Sequence, residues 1–223
     1  MTKDTATITP VTAISETAAR VSFAAAAAFA VLLAALHILE PEFDPSWRFI
    51  SEYELGRYGW MMVLAFLSLA VSYVALFIAI KSQLLTIAGR IGLVLLLISA
   101  LGLAMGGIFT TDPITISPDA ATTSGTLHNI GGTLGLAMTF AAVIISWILA
   151  RNPAWSVARG PLLWAAGIAV ACTIAFIVIT IMVLPSNGEF GPEVLVGWPN
   201  RVEILAYTAW LMVVARQAIR VRG

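Results

Sequence analysis

Two histidines and a scatter of carboxylates carry most of the chemistry available to this 223-residue chain. His37 and Glu40 are three residues apart, so they share one face of a helix, with Asp44 just beyond. A histidine one turn inside an apolar block needs a partner. With His128 across a bundle and a carboxylate such as Asp112, two imidazoles would suit a divalent cation such as zinc. No HExxH-like spacing accompanies them. The plainer assignment has His37 hydrogen-bonding a neighbouring helix.

Three further constellations follow. In Phe43-Asp-Pro-Ser-Trp-Arg-Phe-Ile-Ser-Glu-Tyr-Glu-Leu-Gly56, charges and aromatics sit together, as at a membrane interface. Asp44-Pro45 reads as a helix cap, and Ser51-x-x-Glu54 as a capping box opening the second helix. Arg48 and Glu52 are left over, which makes Glu52 a better functional candidate than Ser51 or Glu54. Asp112-Pro113 and His128-Asn129 are placed to meet across a loop as a carboxylate–imidazole pair, orienting a general base or a metal ligand. Asn200-Arg201-Val-Glu203 has capping-box spacing, with Arg201 free to pair with a carboxylate. Glu52, Asp112 and His128 are thus the catalytic candidates. Arg48, Ser51, Asn129, Arg201 and Glu203 are the binding candidates, and His37, His128 and Asp112 the metal candidates.

The elements that position these residues are legible from composition. The chain is 60% hydrophobic and 11% charged, against about 25% charged in a soluble domain. Its apolar residues form six blocks, near 21–39, 58–80, 91–109, 127–150, 162–184 and 202–219. Each approaches the roughly 20 residues that cross a bilayer. The expected fold is all-α, a polytopic bundle of six membrane-spanning helices in one domain (20–220) after a flexible tail (1–19). The first block is too long for a signal peptide's apolar region, and no small-residue cleavage site follows it. Loop breakers include Pro41, Asn152-Pro153, Gly160-Pro161, Pro185-Ser-Asn-Gly and Gly191-Pro192. A three-plus-three inverted repeat is topologically possible, but the halves show no convincing similarity.

Lys3, Arg20, Lys81, Arg90, Arg151, Arg159, Arg216, Arg220 and Arg222 fall on one side, and Arg48, Arg57 and Arg201 on the other. The positive-inside rule puts both termini in the cytoplasm and the chain in the cell membrane. The acidic residues, Glu189 among them, gather on the outer side with both histidines. Deeper polar residues such as Ser99, Thr139, Thr173, Tyr207 and Thr208 are hydroxyls without an ionisable relay, which argues against a proton pump. The lone Cys172 forms no intramolecular disulfide. Zero formal net charge gives no case for nucleic acid, leaving membrane lipids as the expected partners.

The segments Asp44 to Trp60 and Gly107-Ile-Phe-Thr-Thr-Asp-Pro113, with Leu127-His128 downstream, resemble the domain-of-unknown-function 998 family of prokaryotic integral membrane proteins. The resemblance runs from about residue 20 to 220. It implies a multi-helix membrane fold and transfers no reaction. Ser51, Glu52, Asp112 and His128 are the positions matching its pattern. Three functions compete: an outer-face site for a lipid head group or small solute, a metal-dependent lipid hydrolase or transferase, and a non-catalytic scaffold.

Overall fold

The computed structural model describes residues 14–184 and 190–222. The tail expected over 1–19 lies largely outside these residues, as do Pro185-Ser-Asn-Gly and Glu189. Helix α1 already begins at Glu16, where Ser15 accepts a hydrogen bond from the Ala18 amide and Glu16 pairs with Arg20. It runs to Leu39 and buries Ala19, Ala26, Phe29, Leu33 and Leu36, a stripe at helical spacing. The rest of its surface is also apolar, as a lipid-facing helix requires.

The other helices are α2 (Gly59–Ile80), α3 (Ile87–Ile108), α4 (Thr123–Gly135), α5 (Ala137–Arg151), α6 (Arg159–Val183) and α7 (Gly197–Arg222). Among the described residues there are six helical segments long and apolar enough to cross a membrane, and no strand. The protein is therefore a multi-pass membrane protein. Its spans form a closed ring in which α1 touches α2, α2 touches α3, α3 touches α5, α5 touches α6, α6 touches α7, and α7 returns to α1. Exposed tryptophans mark both ends, with Trp60 and Trp198 at one and Trp147 and Trp164 at the other. That distribution suits two membrane–water interfaces.

Block four is two helices rather than one. The chain tightens at Leu136, whose amide bonds to Thr133 O. Gly131, Gly132 and Gly135 precede the break, and glycine is a weak helix former. The glycines also permit the α3–α4 packing, since a Cβ on Gly131 would sit 2.6 Å from Gly102 O. Gly132, one residue on, faces open space.

The helix ends also differ from expectation. Helix α2 opens at Gly59, past Ser51 and Glu54, and Glu40 Oε1 serves its start by accepting from the Tyr58 amide at 2.6 Å. Ser51 and Glu54 instead lie in a 3-10 helix, Ile50–Leu55. Asp44 caps no helix and makes a turn onto the Ser46 amide. Helix α7 begins at Gly197, so Asn200 and Glu203 lie within it rather than capping it, and Asn200 Oδ1 accepts instead from the Ile50 amide at the start of the 3-10 helix at 3.2 Å.

These contacts separate two neighbouring glycines. Gly132→Ala should gain about 0.5–1 kcal/mol of stability by restricting the unfolded chain. Gly131→Ala should lose about 1–3 kcal/mol through overpacking. Thermal unfolding in one detergent checks the pair, and equal behaviour would contradict the α3–α4 contact.

Candidate functional site

Two polar groupings form where α1, α3 and α6 end and α2, α4 and α7 begin. The first is a closed knot around Arg201, which is 1% exposed. Its Nε donates to His37 Nε2 at 2.8 Å, and Nη1 to Arg48 O and Gly197 O. Nη2 donates to Tyr53 Oη at 3.3 Å, with the Tyr53 and Trp198 rings beside the guanidinium. None of these partners is a carboxylate, so the expected Arg201 ion pair gives way to neutral acceptors. Because arginine only donates, His37 Nε2 must be the acceptor, and Nδ1–H donates to Leu33 O at 2.7 Å. Burial pushes the Tyr53 phenol up, opposed by the hydrogen bond from Arg201.

Glu52, 1% exposed, is fully engaged nearby. It accepts from Arg48 Nη1 at 2.6 Å, the Ile114 amide at 2.9 Å and the Phe49 amide at 3.1 Å. Arg48 in turn lies over the Trp47 ring. Both residues tie the loop before α2 to the loop before α4. Asp112 accepts from the Thr122 amide and hydroxyl, each at 2.8 Å, and so fixes the N-cap of α4. A Cβ on Gly125 would fall on that carboxylate.

The second grouping is an open cavity of about 420 Å³. Helix α4 forms one wall, α6 and α7 the other, and the 3-10 helix lies across the end. Its polar lining comprises Ser51, His128, Asn129, Thr133, Asn200, Glu203, Tyr73 and Tyr207. Four sequence candidates therefore meet here: Ser51, His128, Asn129 and Glu203. His37, Arg48 and Arg201 belong to the knot, and Asp112 to the α4 cap. His37, His128 and Asp112 are thus engaged separately. Among the described residues no group of three His, Cys, Asp or Glu side chains is spaced for a metal ion.

The partner of His128 is Glu54 rather than Asp112. His128 Nδ1 lies 2.8 Å from Phe109 O and 3.6 Å from Glu54 Oε2, whose side chain is 1% exposed. In the neutral ring, Nδ1–H bonds to the carbonyl and Nε2 keeps its lone pair, the state of a general base or a hydrogen-bond acceptor for ligand. Glu54 Oε2 also accepts from the Thr111 amide at 3.0 Å, while Oε1 is buried without a partner. The spacing that resembled a capping box is the signal for this residue. With three residues per turn, Ser51 and Glu54 share a face of the 3-10 helix.

On α7, Tyr207 donates to Glu203 Oε1 at 3.1 Å, and its oxygen lies 2.6 Å from both Thr139 and Thr173. The Glu203 carboxyl thus faces a hydroxyl chain running deeper into the bundle.

Burial pushes the Glu54 carboxyl from 4.5 up to about 7, opposed by the Thr111 amide. A raised carboxyl contributes its stabilisation fully below the unfolded value and loses it as pH rises through the folded one. Glu54→Gln should therefore gain thermal stability relative to wild type between about pH 4.5 and about pH 7. A difference that stays flat across that window would overturn the burial of a titrating carboxyl.

No curated protein and no solved structure matches the chain. A family model described as Protein of unknown function (DUF998) matches residues 23–217. That match takes in five of the six spans in full to within a few residues and the whole cavity, so the chain belongs to this family of proteins of unknown function.

Proposed function

We propose that the protein binds a membrane-resident amphiphile, a lipid or lipid-like solute, in the cavity between α4 and the α6–α7 wall. One observation carries the reading: a space of about 420 Å³ has largely apolar walls, with Ser51, His128, Asn129, Asn200 and Glu203 toward its 3-10-helix end and Thr133, Tyr73 and Tyr207 deeper. That volume lies within the ~300–1,000 Å³ of small-molecule sites. The outer half of α6 turns Ile174, Ile177, Val178 and Ile181 outward, so a chain approaching from lipid meets apolar surface. Ser51, His128, Asn129 and Glu203 are the head-group contacts in this reading. Arg48, Glu52, Asp112 and Arg201 hold the elements that carry them.

The same reading places both termini in the cytoplasm and the cavity at the outer leaflet of the cell membrane. The bias of basic residues to the opposite end supports it. The single Cys172 makes the test clean. In a Cys172→Ser background on intact cells, a membrane-impermeant maleimide should label Asp119→Cys and spare Lys81→Cys. The reverse pattern would invert the topology.

Gly132 offers the direct test of binding, because a side chain there enters open space. Lipid extracted from wild type purified in mild detergent should include a species retained through washing. Gly132→Leu should lose it several-fold while unfolding at the wild-type temperature or higher. Equal lipid on both proteins would leave the outer network a purely structural role.

A further inference from the structure

The lining of the cavity has a sign. Helix α7 presents Asn200, Glu203, Ile204 and Tyr207 to it, residues at i, i+3, i+4 and i+7. Arg201 lies one residue off that face, and its donors go to His37, Tyr53 and two carbonyls. Arg48, beside the knot, is bound to Glu52. Among the described residues no lysine or arginine lines the cavity, whereas Glu203 does, 5% exposed and partnered by the Tyr207 hydroxyl. A phosphate or carboxylate head would lose water against a carboxyl with no cation to compensate it.

A second observation points the same way. Five aromatic rings, Phe49, Phe66, Tyr73, Phe176 and Tyr207, come from α2, α6, α7 and the loop before the 3-10 helix to line the same space. Ring faces carry partial negative charge and attract ammonium groups, most strongly where water is excluded. Among the described residues Glu203 is the one carboxyl in the lining, and a carboxyl among aromatic rings is the composition an organic cation selects.

We propose that the cavity takes the ammonium head of an alkylamine-type amphiphile, with Glu203 as counter-ion and the aromatic rings as its walls. This rests on the amphiphile-binding reading above and adds the charge of the head. Ser51 and Asn129 accept the two remaining N–H groups, and the alkyl chain leaves between α4 and α6.

Three dodecyl probes that differ only in the head group test it. Dodecylamine, dodecanol and dodecyl phosphate are offered at equal concentration to the detergent-purified protein, and bound adducts are counted by native mass spectrometry. Wild type should favour the amine over the phosphate by about tenfold or more. Glu203→Gln should bring the amine down to the level of dodecanol. Phe176→Leu, on the lipid-facing helix, should weaken the amine alone and serves where the glutamate variant fails to fold. Gly132→Leu should remove all three adducts. Equal adducts of all probes on wild type, all lost in Gly132→Leu, would overturn the ammonium assignment and leave the cavity reading intact. Adducts indifferent to Gly132→Leu would overturn the cavity reading itself.

Discussion

A guanidinium buried without a carboxylate is the constraint around which this end of the protein is organised. Taking an arginine out of water costs several kcal/mol unless its donors are matched. Arg201 meets the requirement with acceptors from separate parts of the chain: His37 on α1, the Arg48 carbonyl, the Tyr53 hydroxyl and the Gly197 carbonyl of its own helix. Those contacts bring α1 and α7 together at the seam where the ring of spans closes. They also fix the chain between α1 and α2 across the bundle end. Breaking one partner would expose the whole cost, so the 3-10 helix, and Ser51 and Glu54 with it, inherits its position from this network.

The acidic rim follows from a different need. The first amides of a helix have no intrahelical partner, and its N-terminus favours negative charge. Glu40 answers the Tyr58 amide before α2, and Asp112 answers Thr122 before α4. Glu52 and Glu54 serve the Phe49, Ile114 and Thr111 amides in the loops between. Gly56 and Gly125 have no side chain where the Glu40 and Asp112 carboxylates lie. Glu40, Glu52, Glu54 and Asp112 at this end are thus acceptors for backbone. Glu203, on the cavity face of α7, stands apart because its recorded partner is a side-chain hydroxyl.

Hydropathy alone reveals the six spans, because lipid demands about 20 apolar residues whatever the packing. It misses the break at Leu136, since Leu134, Leu136 and Met138 keep the block apolar across it. The end of the bundle that holds the cavity was also legible, as the end holding the histidines. The membership of the site was not. Ser51-x-x-Glu54 and Asn200-x-x-Glu203 share a spacing that fits a cap, a 3-10 face and an α-helical face alike, and only the true helix starts decide between them. His37 and His128 look equivalent in sequence, yet Arg201 occupies one and the other lines the cavity.

The cavity is widened by the glycines that α4 places among its lining side chains. Gly131 is consumed by the contact with α3, where backbone meets backbone at Gly102. Gly132 and Gly135 meet nothing, so close packing of the kind at Gly131 does not account for them. Each costs helix stability of order 1 kcal/mol relative to alanine. A bundle held only for its own sake would gain by filling those positions, as proteins commonly do where no function opposes it. Space kept open at that cost, beside a buried carboxyl and a set of aromatic rings, supports the binding role proposed above.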